Sequence, residues 1–314
     1  MNVPQKGAAG YYCRRSIPVV TMPLIVETCI ARHIGDRNQQ QDRVAAFGHP
    51  SRHGTMMAVL ADGMGGHAGG ELAAEQVVLQ ARRNFEAYIP DAGCPGQLLE
   101  EIVTDAHRGI RRVRASTGKD PHSTAVALML RAGRANWIHC GDSRVYHFRG
   151  SETVCRSQDH SLVAELQRRG RLDEAAAAFH PQRGVLLSCL GDHRPPQIAF
   201  GEAPARAGDN FLLCSDGLWG HFPDDELAAV IAANPARDAA ETLVRLARRR
   251  AAGSGDNISL VIMKVCSGAA RAGGRPEATA AASCVARKSP PCPLPPIPSS
   301  PLPHRSPSPH RAAA

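Results

Sequence analysis

Aromatic side chains make up only 4% of the 314 residues, and nowhere do they interleave with basic ones. That scarcity leaves no row of stacking platforms for nucleic acid. Long apolar runs are missing too. None approaches the roughly 20 residues that cross a bilayer, and the apolar stretch from Ile17 to Val26 is short and broken by Pro18 and Pro23. No membrane span is expected. No pair of cysteines has CxxC spacing and no convincing export signal precedes them. The ten cysteines are scattered through a long chain, which reads as reduced thiols in a cytoplasmic protein rather than a disulfide framework.

The formal net charge of +8 would suit an anionic partner, but it is not spread along the chain. Nine of the 37 basic residues and only one of the 29 acidic ones lie in residues 1–26 and 267–314, which leaves 28 of each between them. A balanced body argues against a nucleic-acid groove. The segment 267–314 is dense in Pro, Ser, Ala and Arg, as in Pro290-Pro291-Cys292-Pro293. Such a composition cannot bury enough apolar surface to fold, so a disordered tail is expected, together with a mostly disordered leader over residues 1–26.

The segment between them, residues 27–266, has room for one large domain with its own core. Met57 to Ala61 is a short apolar run that ends in Asp62 and a glycine-rich turn. A helix follows with Ala73, Val77, Ala81 and Phe85 on one face, and a second carries Leu99, Ile102, Val103, Ala106, Ile110 and Val113 at helical spacing. Strands are predicted at Thr124 to Leu130, Ala135 to Cys140, Val145 to Phe148, Phe211 to Cys214 and Ile258 to Val265, with a helix over Ala236 to Ala251. Two helices after one group of strands, then more strands, fit a layered mixed domain better than strict βαβ alternation.

Four acidic residues share one setting, at or just past the end of an apolar run and beside glycine. They are Asp62 before Gly63, Asp142 after Gly141, Asp216 before Gly217 and Asp256 after Gly255. A strand end places such a residue at a sheet rim, and the glycine lets backbone approach a ligand closely. If the four converge, their repulsion must be offset, since two unit charges 4 Å apart cost about 4 kcal/mol at an effective dielectric near 20. Either a cation is bound or they do not meet. An all-oxygen donor set implies Mg2+ or Mn2+ and not zinc. Arg37, five residues before Asp42, offers a guanidinium that can fork two phosphate oxygens.

In order along the chain, Gly35-Asp36-Arg37-Asn38-Gln39-Gln40-Gln41-Asp42, the run Asp62-Gly63-Met64-Gly65-Gly66-His67-Ala68-Gly69-Gly70-Glu71, Gly141-Asp142-Ser143-Arg144, Asp159-His160-Ser161, His180-Pro181-Gln182-Arg183, Ser215-Asp216-Gly217 and Gly255-Asp256-Asn257 resemble the type 2C metal-dependent serine/threonine protein phosphatases, the PPM family, and especially its bacterial branch. The resemblance implies an α+β fold, a four-layer α-β-β-α sandwich with two central antiparallel sheets and a flap at about residues 157–192. It implies two Mn2+ or Mg2+ ions and a weaker third, with Asp62 bridging, the Gly63 carbonyl on one ion, Asp216 and Asp256 on the other, and Asp142 with Asp216 at the third. Asp42 would orient the metal-activated water and Arg37 would grip the phosphate. Phosphorylated proteins and a cognate serine/threonine kinase are the implied partners, and a monomer is expected.

Some positions depart from the family pattern. Gln40 and Gln41 stand where relatives carry Asn and Glu or Gln, Pro121-His122-Ser123-Thr124 replaces a Met-Gly-Thr-Thr block, and Met64 follows Asp-Gly where eukaryotic members have histidine. The general acid is therefore unassigned, with His67 nearby. Two other readings compete. Gly63-Met64-Gly65-Gly66-His67-Ala68 fits a GxGxxA dinucleotide turn, though Asp62 just before it is out of place and no acidic residue marks the next strand end. A catalytically silent binding module is the other, against which stands the retention of mutually repelling carboxylates.

Overall fold

The computed structural model describes residues 24–66, 69–268 and 283–285. Apart from residues 24–26, 267–268 and 283–285, the expected leader and tail lie outside them, as does His67.

The chain opens with β1 (Leu24–His33), β2 (Arg43–His49), β3 (Arg52–Ala61) and the two-residue β4 (Gly63–Met64), followed by α1 (Gly69–Ala87) and α2 (Pro95–Thr117). Next come β5 (His122–Ser123), β6 (Ala125–Arg131), β7 (Arg134–Cys140), β8 (Arg144–Arg149) and β9 (Glu152–Arg156). Two short helices, α3 (Leu162–Arg168) and α4 (Glu174–Ala178), precede β10 (Ala199–Pro204) and β11 (Asp209–Cys214). The single-turn α5 (Asp216–Trp219), then α6 (Asp224–Ala233), α7 (Ala236–Ala251), β12 (Ile258–Ser267) and β13 (Ser283–Val285) complete it.

Six strands form one sheet in the order β13-β1-β12-β11-β8-β9, and five form another in the order β10-β7-β6-β3-β2. All pairings in them are antiparallel except β1 with β13. Among the described residues that sheet architecture leaves no βαβ unit at the GxGxxA run, whose Gly63 and Met64 form β4 instead. Within 267–314, the three residues of β13 pair with Ile30–Arg32.

The strands read as near-continuous apolar runs because both faces of each sheet are covered. In β3, Met57, Val59 and Ala61 face a core shared with α1 and α2, whereas Ala58 and Leu60 face the other sheet. β12 repeats the division, with Leu260 and Ile262 toward α6 and α7 and Val261, Met263 and Val265 between the sheets. Period-two alternation therefore builds three parallel cores, and with them four layers, helix, sheet, sheet, helix. The helical stripe of α2 is the clearest case. Leu98, Leu99, Ile102, Val103, Ala106 and Ile110 are all buried, each Leu or Ile stabilising by about 1.5–3 kcal/mol.

Candidate metal centre

The strand registers carry the acidic residues to one rim. Leu60 pairs with Val126 and Ala61 with Arg43, so the end of β3 lies beside the starts of β6 and β2. Ala125 pairs with Cys140, which brings the end of β7 to the same edge. In the other sheet Cys214 pairs with both Arg144 and Leu260, and His33 pairs with Ile258. Asp42, Asp62, Asp142, Asp216 and Asp256 each adjoin one of these ends. Antiparallel pairing thus gathers residues more than 200 positions apart.

A cleft of about 710 Å3 opens there, lined by Asp62, Asp142, Asp216 and Asp256 together with Arg37, Gly63, Gln41 and, from the flap, Gly184 and Leu186. Asp42 lies beneath it, 1% exposed. Burial is the largest influence on Asp42, Asp62, Asp142 and Asp216 and raises each of them. The Asp42 carboxyl is pushed up to about 7, with the charge of Asp216 adding to the effect and the Ser215 hydroxyl opposing it. Asp142 reaches about 8 and Asp216 about 6, each from burial and then a neighbouring carboxylate. Asp62 lies well above the usual carboxylate range through burial and the charges of Asp42, Asp216, Asp142 and Asp256. The five carboxylates feel one another, which is the convergence the sequence only implied.

Backbone fit fixes the surrounding loops. A Cβ on Gly63 would run into the Gly70 carbonyl, and one on Gly35, at φ +66°, would strike the carbonyl of Asp256. The turn after Asp62 is sewn to β6 by Thr124, whose Oγ1 accepts from the Asp62 amide at 2.9 Å and whose own amide donates to the Asp62 carbonyl at 2.9 Å. Asn257 does the same for the loop carrying Arg37. Its Nδ2 donates to the carbonyls of Ile34 and Gln39 at 2.8 and 2.9 Å, and its Oδ1 accepts from the Gln41 amide at 2.7 Å. The Ser215 hydroxyl donates to Asp42 Oδ2 at 2.9 Å. These three supporting residues escaped the sequence reading, although each sits within or beside a quoted block. The signal was their adjacency to an aspartate.

Arg37 is placed at the mouth of the cleft, 61% exposed, and its Nε and Nη2 fork the two oxygens of Asp256 at 2.8 and 2.6 Å. The carboxylates line the cleft without closing to one point. Among the described residues no three His, Cys, Asp or Glu side chains already stand as a finished metal cage, and Arg37 supplies the countercharge at Asp256. The donors are nonetheless all oxygen and mutually repelling, which fits hard divalent cations.

The sequence profile of protein phosphatase 2C matches residues 31–252. The chain belongs to that family. It is 32% identical over 218 residues to the serine/threonine protein phosphatase PstP of Mycobacterium tuberculosis, an alignment covering 68% of this chain and 41% of PstP. With the protein phosphatase PhpP of Streptococcus pneumoniae it shares 31% identity over 246 residues, 73% of this chain and 93% of PhpP. Its fold superposes on the catalytic domain of PstP, solved in complex with two manganese ions, with a TM-score of 0.64 and 27% identity over 77% of this chain and 99% of that one. The family's α-β-β-α layering is the one described above. The chain spans less than half the length of PstP. No helix among the described residues is long and apolar enough to cross a membrane.

One outcome follows from the Ser215 contact. Its hydroxyl holds Asp42 down against burial, so Ser215→Ala is expected to raise the Asp42 pKa and move the acid limb of the pH–rate profile toward higher pH. It should cost about 1 kcal/mol of stability through the lost hydrogen bond. A pH profile that does not move would show that Asp42 need not be ionised for turnover.

Proposed function

We propose that this chain hydrolyses phosphoserine and phosphothreonine in proteins by direct attack of water at a binuclear Mn2+ or Mg2+ centre. The observation that carries the reading is the convergence of Asp62, Asp142, Asp216 and Asp256 on one cleft in a phosphatase 2C chain. Asp62, with the Gly63 carbonyl, Asp216 and Asp256 would hold two ions, and Asp142 with Asp216 a weaker third. Ions held there supply Lewis acidity, bringing the ionisation of water toward neutrality and offsetting charge on the phosphate.

The chain's own residues do the rest. Asp42, fixed by Ser215, is placed to orient the attacking water and accept its proton. Arg37 presents a planar fork at the cleft mouth, matched to two phosphate oxygens. A bound ion would compete with it for the same Asp256 oxygens and leave the guanidinium to substrate. Leu186 and Gly184 of the flap wall part of the cleft. The enzyme would oppose a serine/threonine kinase. The ten cysteines are scattered without CxxC spacing, which suits a reducing compartment, and we place the enzyme in the cytoplasm.

A panel of phosphoserine, phosphothreonine and phosphotyrosine peptides, assayed with Mn2+, Mg2+ and a chelator, tests this. Turnover of the first two with either metal and its loss on chelation is the expected result. Chelator-resistant turnover, or a preference for phosphotyrosine, would overturn the reading.

A further inference from the structure

A buried arginine stands between the flap and the carboxylates with no part in the roles assigned above. Arg144 opens β8 two residues after Asp142, and its side chain is 13% exposed. Its Nε and Nη2 reach Asp159 Oδ1 and Oδ2, both at 2.8 Å, and its Nη1 donates to the Tyr146 hydroxyl at 3.1 Å. The face of the guanidinium lies on Trp219, with Cζ 3.5 Å from the ring centroid. Trp219 in turn donates from Nε1 to the Asp142 carbonyl at 2.9 Å.

Both ends of this chain of contacts adjoin the site. Asp159 stands at the root of the flap, where the His160 amide donates to the Gly141 carbonyl at 2.9 Å. Trp219 ends α5, the one-turn helix that begins with Asp216. Removing a guanidinium from water is costly, and a single ion pair rarely recovers the cost. Here its edge is satisfied by Asp159 and Tyr146 while its face is covered by an indole, an arrangement that lysine cannot reproduce. The cluster spans two elements that carry carboxylates and one that carries the flap.

We propose that Arg144 and Trp219 are positioning residues, which set the Asp142 backbone against Asp216 and tie that pair to the flap root. Metal affinity at the Asp142 and Asp216 pair and the seating of the flap on a phosphoprotein are then linked through one guanidinium. The proposal rests on the phosphatase reading, and its test separates the two.

In the full chain, Mn2+ is titrated against turnover of an aryl phosphate and of a phosphothreonine peptide. Trp219→Phe keeps a ring over Arg144 but loses the donor to Asp142, so its Mn2+ midpoint is expected to rise about tenfold, the usual scale for losing a contact that orients a ligand. Saturating Mn2+ should restore most of its kcat. Arg144→Lys should show the same rise and, in addition, a higher KM for the peptide with the aryl phosphate KM unchanged. Trp137→Phe is the control, because Trp137 is buried between the sheets. It should lower the melting temperature without moving the midpoint, and its remaining tryptophan, Trp219, should change emission as Mn2+ binds. Wild-type midpoints in Trp219→Phe and Arg144→Lys, or an equal rise in Trp137→Phe, overturn the proposal. So does Trp219 emission that ignores Mn2+, a measurement available even where the other variants fail to fold. A wild-type enzyme with no metal-dependent turnover would instead bring down the phosphatase reading itself.

Discussion

Asp62→Asn is expected to abolish metal-dependent turnover and at the same time to raise the melting temperature of the chelator-treated protein. The two effects share one cause. Asp62 is buried beside four other carboxylates and its pKa is driven well upward, so the metal-free fold holds a group it would be more stable without. Asparagine keeps the shape and removes the ionisation. Removing a charge that burial and four neighbouring carboxylates disfavour stabilises the metal-free fold, and for a domain of this size each kcal/mol moves the midpoint by about 2–4 °C. The same change takes away the carboxylate proposed to bridge both ions. If that contributes several kcal/mol to charge stabilisation at the phosphoryl group, kcat falls by about a thousandfold or more, since each 1.36 kcal/mol is tenfold. Steady-state assay with Mn2+ and a thermal melt in chelator read the two halves. A variant that loses activity and melts lower in chelator would mean that Asp62 is held by favourable contacts, contrary to the electrostatics of the rim.

Such opposed effects mark a site that trades stability for function, and they explain which parts of the molecule were legible in the sequence. Residues under strong local constraint could be read directly. The helix over Ala236 to Ala251 has the limits expected from its apolar spacing, and β6, β7, β8, β11 and β12 fall within a few residues of the apolar runs that announced them. β10, with Phe200 half exposed on an edge, and β9, whose residues alternate between exposed and half-buried, carry little apolar contrast and gave no signal. α6 was also unread, because Leu227, Ala228 and Ile231 bury only a small stripe. At the site, the aspartates stood out because each breaks an apolar run beside glycine. Their meeting at one rim depends on strand register, which a single sequence does not state. It was carried by the family resemblance and appears in the pairing of Leu60 with Val126 and of Cys214 with Leu260. The placement of Arg37 on Asp256 was not legible at all, since a pairing 219 residues apart leaves no local trace.

The same raised carboxyls set how metal and pH act together. Asp42, Asp142 and Asp216 have folded values of about 7, 8 and 6, against about 3.9 for an unfolded aspartate. A group whose folded pKa lies above its unfolded one binds more protons when folded, so its contribution is fully present below pH 4 and is lost as pH rises through the folded value. Metal-free protein is therefore expected to lose stability progressively between about pH 4 and pH 8 from these groups. Divalent ions compete with those protons for the same oxygens, and the gain from Mn2+ must grow across the same window. At a free concentration one hundred times the dissociation constant, a ligand bound only by the folded state stabilises by about 2.7 kcal/mol, or roughly 5–10 °C here. Melting curves at pH 5.5 and pH 7.5, each with chelator and with Mn2+, give four midpoints. The expected pattern is a small metal-induced rise at the lower pH and a large one at the higher. An equal rise at both would show that ions bind without displacing protons from Asp42, Asp142 or Asp216, and the carboxylate centre described above would then lie elsewhere in the molecule.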